Sequence, residues 1–184
     1  MNTIRVWTKQ HISVWETLQK EGVYHAKFSG ISHNEDARLM MDAYRWLAAG
    51  IPNAKEKPAG AEFPIWLAYS HEGTMLPTPN TVLLELEIDP SLITDVNIAK
   101  WGTILNSNYI PADEEDKLRH RRLLRDWGTN DETACMTQFY PQIKREIHDS
   151  WVRLFDDSIQ LGSPECYGTI WEVRKEWIRN VTIL

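Results

Sequence analysis

The alternation of Ile4-Arg5-Val6-Trp7-Thr8-Lys9-Gln10 predicts an edge-to-core strand at the start of the chain. Ser13 with Glu16 forms a capping-box pattern, and Ile12, Trp15 and Leu18 share one face of a short helix that Gly22 stops. Phe28 to Asn34 reads as loop. From Asp36 to Ala49 the apolar positions Leu39, Met40, Ala43 and Leu47 recur at helical spacing, closed by Gly50 and Pro52, and the polar stretch Pro52 to Glu62 follows as loop.

Phe63 to Tyr69 is a nearly continuous apolar run, as in a strand covered on both faces. Val82, Leu84, Leu86 and Ile88 alternate with Glu85 and Glu87, as in a strand with one wet face, and His71 to Asn80, with Gly73, Pro77 and Pro79, turns the chain between the two. Helices are predicted at Asn97 to Asn108, at Asp113 to Trp127, and from Pro141 with Ile143, Ile147, Trp151 and Leu154 on one face. The second of these has Asp113, Glu114, Glu115 and Asp116 in its first turn and Gly128 past its end, a charge order that suits the helix dipole. Tyr167 to Val173 and Asn180 to Leu184 close the chain as strands. Because strands do not alternate regularly with helices, the pattern predicts an α+β fold, a split mixed or antiparallel sheet with flanking helices.

Composition adds limits. A chain of 184 residues supports one domain, taken as 1–184, with a real core. A net charge of -6 gives no global attraction to phosphates or anionic membranes, so a nucleic-acid partner would need a local basic groove. The mean hydropathy is -0.44 and no apolar run reaches the roughly 20 residues of a membrane span, so no membrane association is expected. The two cysteines, Cys135 and Cys166, show no paired spacing and no leader pattern opens the chain, which predicts a cytoplasmic protein with free thiols. Most of the nine tryptophans are expected to anchor the core, leaving a minority to stack on a flat ligand.

The phosphate-loop, dinucleotide-fold, zincin and hydrolase-elbow motifs do not occur, and the six histidines contain no close pair at metal-ligand spacing, so no metal site is expected. Arg119-His120-Arg121-Arg122 with Arg125 is the one dense basic cluster; Glu115 before Arg119 and Asp126 after Arg122 are placed to neutralise much of it on a solvated helix face, the alternative being a groove for RNA, DNA or an acidic partner. Glu85 and Glu87 share a strand face. Glu172 is unusual, a carboxylate within the otherwise apolar "GTIWEV", where burial is costly unless an ion-pair partner or a catalytic role accounts for it. Arg5, on the first strand, poses the same question; the two could be each other's salt bridge.

The ordered set "RVWT", "LQKEGVY", "AYRWL", "PIWLAY", "VLLELEI", "WGTILNSNYI", "WVRLFDD" and "IWEVRKEWIRNV" resembles an uncharacterised family of bacterial domains across nearly the whole chain. More distantly, the layout resembles the ADP-ribosyltransferase fold, in particular DarT-like toxins and RNA 2'-phosphotransferases: a first strand bearing His or Arg, a helix ending in "L...G", and a last strand bearing a catalytic Glu. That resemblance implies an NAD-dependent ADP-ribosyltransferase, the toxin of a toxin-antitoxin or phage-defence module, acting on nucleic acid or protein, with a cognate antitoxin as a further partner. It implies Glu172 and Arg5 as catalytic residues and Arg5, Trp7, Thr8, Tyr44, Trp66 and Tyr69 as the NAD-binding set. The first strand lacks a histidine, and Ile170 stands two before Glu172 where such enzymes place a second Glu or Gln. A non-catalytic nucleotide-, RNA- or partner-binding module of the same fold is the alternative.

Overall fold

The computed structural model describes residues 2–30, 35–74, 76 and 78–184. Part of the expected loop Phe28 to Asn34, together with His33 and Pro77, lies outside the described residues, as does the side chain of Leu39. The fold is α+β, as the patterning predicts. The chain gathers into two compact units, one of Met1–Ala37, Tyr44–Asp95 and Tyr167–Leu184, the other of Arg38–Ala43 and Val96–Cys166.

The first unit is built on strand β1 (Ile4–His11), which runs antiparallel to β4 (Thr81–Ile88); β4 in turn pairs antiparallel with β8 (Ile178–Ile183). Alternation dictates the layering. Val6 and Thr8 of β1 and Val82, Leu84, Leu86 and Ile88 of β4 are buried, whereas Glu85 and Glu87 point to the opposite face, as their period-2 spacing requires. Between Glu85 and Leu86 the register with β8 slips by one residue, and the extra residue, Arg179, reaches back to Glu87 with Nε 2.7 Å from Oε2.

A second sheet has the order β3 (Ile65–Leu67), β6 (Cys166–Ile170), β5 (Thr94–Asn97), with β3 antiparallel to β6. Trp7 and Ala68 tie β1 to the end of β3 by two backbone bonds, Trp7 N to Ala68 O at 2.9 Å and Ala68 N to Trp7 O at 2.7 Å. β1 therefore has neighbours on both sides, although β1-β4-β8 alone would leave it at an edge.

Helix α1 (Ile12–Glu21) buries Val14 and Leu18 against this framework and stops at Gly22, whose φ of 78° is the left-handed conformation that glycine adopts without a Cβ clash. Its cap differs from the expected Ser13: His11 is the N-cap residue, and its Nδ1 accepts from Ser13 N at 3.3 Å. After Gly22 the chain forms the two-residue strand β2 (Val23–Tyr24), antiparallel to β7 (Val173–Arg174). Helix α2 (Glu35–Gly50) covers the predicted span; Ala43 and Leu47 are buried but Met40 is exposed.

The second unit is helical. Its α3 (Ile98–Leu105) is capped by Asn97, and α4 (Glu114–Asp126) by Asp113, whose carboxylate accepts from Asp116 N at 2.8 Å. A short α5 (Asp131–Met136) is capped by Asn130, and α6 (Pro141–Ser150) begins with a first-turn proline and buries Ile143 and Ile147. Among the described residues no helix is long and apolar enough to cross a membrane.

Candidate functional site

The β2–β7 pairing generates the most reactive-looking constellation of the first unit. Tyr24 is opposite Val173, so His25 comes level with Glu172. The sequence pattern treats Tyr167 to Val173 as one strand. The structure breaks it after Ile170, because the chain bends at Trp171 and Glu172 before β7 resumes. Freed from a continuous ladder, the Glu172 carboxylate turns toward a guanidinium and an imidazole: Oε1 accepts from Arg174 Nε at 2.6 Å and Oε2 lies 3.0 Å from His25 Nε2.

Partial burial works to raise the Glu172 pKa, but the hydrogen bonds and charges of Arg174 and His25 outweigh it and hold the carboxyl below its ordinary value. An ionised carboxylate can only accept hydrogen bonds, so His25 Nε2 must carry the proton they share. Gly60 presses on the other side of the same ring: a Cβ there would lie 2.9 Å from His25 Nδ1. Glu172 opens onto a groove of about 270 Å³ whose walls include Asn53, Glu56, Trp171, Arg174 and Trp177. Trp171 is fixed by its indole N–H, which donates to Asn53 O at 3.0 Å, while the Arg174 guanidinium covers the Trp177 ring at 5.7 Å. Carboxylate, cation and aromatic faces thus meet at one opening, a set that suits a ribose-bearing, partly aromatic ligand.

Arg5 does not belong to it. Its Nε binds Glu85 Oε1 at 3.0 Å across β1–β4, with 63% of its side chain exposed, so neither the shared catalytic site nor the Arg5–Glu172 salt bridge expected from sequence is formed. The topology explains why. Trp7 pairs with Ala68 and Leu67 with Gly168, which sets Trp7 level with Tyr167. Arg5 precedes that level by two residues and Glu172 follows it by five, a separation of roughly 20 Å along the strands.

Thr8 is buried on the face opposite Arg5 and Trp7, where its hydroxyl accepts from Gln10 Nε2 at 2.7 Å, so the three do not form one binding surface. Tyr44 and Trp66 are brought together: burial raises the Tyr44 pKa and the Trp66 side chain beside the phenol works against that rise. Phe63 stands edge-on to Tyr44, with ring centroids 5.6 Å apart. Tyr69 turns elsewhere and donates its hydroxyl hydrogen to Asp95. His25 and Gly60 escape sequence reading, since a two-residue strand leaves no periodic signal.

The second unit holds a separate ionic network. His120 is buried and places Nδ1 2.9 Å from Glu146 and Nε2 2.7 Å from Asp131. Two acceptors on two ring nitrogens require the imidazolium; burial opposes that charge, but the two carboxylates prevail and raise the His120 pKa. The ring stacks on Tyr109 at 3.9 Å, and the Tyr109 hydroxyl donates to Asp116 while accepting from Arg119 and Arg153. Arg119 pairs with Asp116 and Glu146 and not with Glu115. These groups satisfy one another and bind α4, α5 and α6 together, so the network reads as architecture.

No curated protein and no solved structure matches the chain. A family model does match, over residues 5–179, and the chain belongs to that family, the domain of unknown function DUF3841.

Proposed function

We propose that this chain is an NAD-dependent ADP-ribosyltransferase that works in the cytoplasm as the toxin of a toxin-antitoxin or phage-defence module, transferring ADP-ribose to a nucleic acid or protein acceptor. The supporting observation is Glu172: an ionised, half-buried carboxylate held by His25 and Arg174 at the wall of an open groove. In such a reaction the bond between nicotinamide and ribose C1' breaks and its electron pair leaves with nicotinamide. Positive charge develops on the ribose, and the acceptor then adds at C1' and loses its proton. Fixed negative charge beside that carbon stabilises the transition state without reorganisation. A carboxylate has about four lone-pair positions, so the two bonds already made leave room for a ribose hydroxyl. In this reading Arg5, Thr8 and Tyr69 have no part, and Trp171 and Trp177 supply the aromatic faces.

A second reading has its own observation: each oxygen of Glu172 already meets a basic side chain, Arg174 on one and His25 on the other, as in a structural pairing. It makes the groove a non-catalytic site for a nucleotide, RNA or partner. Labelled NAD incubated with the pure protein and cell extract separates the two. Transfer of label and release of nicotinamide, both lost in Glu172→Gln with an unchanged circular dichroism spectrum, support the transferase. Calorimetric NAD binding without nicotinamide release supports the second reading. Toxicity on expression that Glu172→Gln relieves would support the toxin role, and absence of NAD binding would overturn the transferase and leave the groove to RNA or a partner.

A further inference from the structure

The exposed face of α4 is a second feature that the NAD reading leaves unused. Leu118, Arg121, Arg122 and Arg125 follow one another at i, i+3, i+4 and i+7, the spacing of a helix-packing seam, and all four are exposed, Leu118 by 45%. Among the described residues no ion pair or hydrogen bond engages the Arg121, Arg122 or Arg125 side chains, and the expected Arg122–Asp126 pair is absent. At the C-terminal end of the helix Trp127 is 53% exposed and stands edge-on to Tyr140, and Met136 and Phe139 nearby in the chain are 56% and 82% exposed. A soluble surface seldom leaves so many large apolar groups bare in one stretch without a use for them.

We propose that this face docks an acidic amphipathic helix of a partner protein, its carboxylates pairing with Arg121, Arg122 and Arg125 and its apolar residues meeting Leu118 at one end and Trp127 and Phe139 at the other. Charge complementarity points to this occupant. The cationic stripe is short, about 10 Å from Leu118 to Arg125. Acids bound it on both sides, Glu114 and Glu115 before it and Asp126 and Glu132 after it, all exposed. A phosphate backbone running on past either end would meet repulsion, whereas a single helix presenting two turns of glutamates fits between them. Leu118 and Met136 add apolar area that protein interfaces use, and Arg, Trp, Phe and Met are the residue types enriched there. A symmetric contact with a second copy would set these arginines against themselves.

The test is titration of the full-length, isotope-labelled chain with a synthetic amphipathic helix bearing glutamates at i, i+3, i+4 and i+7 between leucine and phenylalanine ends, followed by amide NMR shifts. Shifts confined to residues 117–140 are expected. The R121E/R122E/R125E variant is expected to bind at least about tenfold more weakly. The single F139S change, at a position 82% exposed, is expected to weaken binding severalfold while leaving the spectrum of the free protein otherwise unchanged. Three outcomes would overturn the proposal: no localised shifts; equal shifts from the same peptide with lysine in place of glutamate; or oligouridine binding the stripe more tightly than the peptide does.

Discussion

His25 and Glu172 face each other across the β2–β7 pair at 3.0 Å, brought level by two short strands that are about 150 residues apart in sequence. Because the Glu172 pKa is lowered in the folded chain, its contribution to stability is present above the ordinary carboxyl value of about 4.3 and is lost as pH falls through the lower folded value. Thermal unfolding of wild type and Glu172→Gln is therefore expected to differ most near neutral pH and to converge in acid. His25→Asn removes one of the two compensating partners, so the Glu172 carboxyl carbon, followed by NMR, should titrate at a higher pH than in wild type.

Gly60→Ala probes the same pair from behind. The new Cβ would sit 2.9 Å from Nδ1 and 3.4 Å from Cγ of His25, and neither the ring nor the backbone can absorb that without moving. A loss of about 1–3 kcal/mol in urea unfolding is expected, the usual range for an overpacked site. With His25→Ala in the background the added methyl meets no ring, so the double substitution should cost less than the sum of the singles. Full additivity would show that Gly60 is constrained by something else.

His120 gives the opposite pH sign. Its pKa is raised in the folded chain, so the stability it confers is complete below the unfolded histidine value of about 6.5 and declines as pH rises through the folded value. Replacing it by Asn, whose amide reaches only the Nδ1 position beside Glu146, leaves Asp131 without its buried partner, a loss of about 3 kcal/mol by comparison with other broken buried pairs. Urea unfolding should show the gap between wild type and His120→Asn widest at about pH 6 and narrowed in alkali. A gap independent of pH would mean that the ring acts by packing on Tyr109 alone.

Periodicity made some elements legible and left others hidden. β1 and β4 have 8 residues each and α4 has 13, long enough for a period to show, so apolar spacing, the Asp113 cap and the run of acids in the first turn were enough to place them. β2 and β7 are two residues each and α5 is six, too short for any period to register, and it is these elements that place His25, Glu172 and Asp131. Pairing was less legible than type. Arg5 meets Glu85 and Arg119 meets Glu146 because of strand register and helix packing, which depend on the whole chain, whereas lone charges on two apolar strands suggested Glu172 for Arg5 and helical spacing suggested Glu115 for Arg119. The Glu172 signal, a lone carboxylate in an apolar stretch, did mark a residue with unusual surroundings, although the bend that lets it turn outward is invisible in "GTIWEV".

The two thiols are expected to react at very different rates, and the slower one reports on the His120 network. Cys166 is exposed, whereas burial, reinforced by Asp131 and opposed by Lys144, pushes the Cys135 thiol up to about 11. Only the thiolate attacks a disulfide reagent, so at neutral pH Cys135 is both covered and almost wholly protonated. One fast equivalent of released thiolate, abolished by Cys166→Ser, should precede a slow second one that becomes fast in denaturant. Cys135 and Asp131 belong to the same short helix, α5, and Asp131 is tied to His120 at 2.7 Å, so exposure of Cys135 requires that bond to loosen. In a Cys166→Ser background, His120→Asn should therefore speed the slow phase by at least about tenfold, following the larger population of the opened form. An unchanged slow rate would show that α5 opens without breaking the imidazolium bridge.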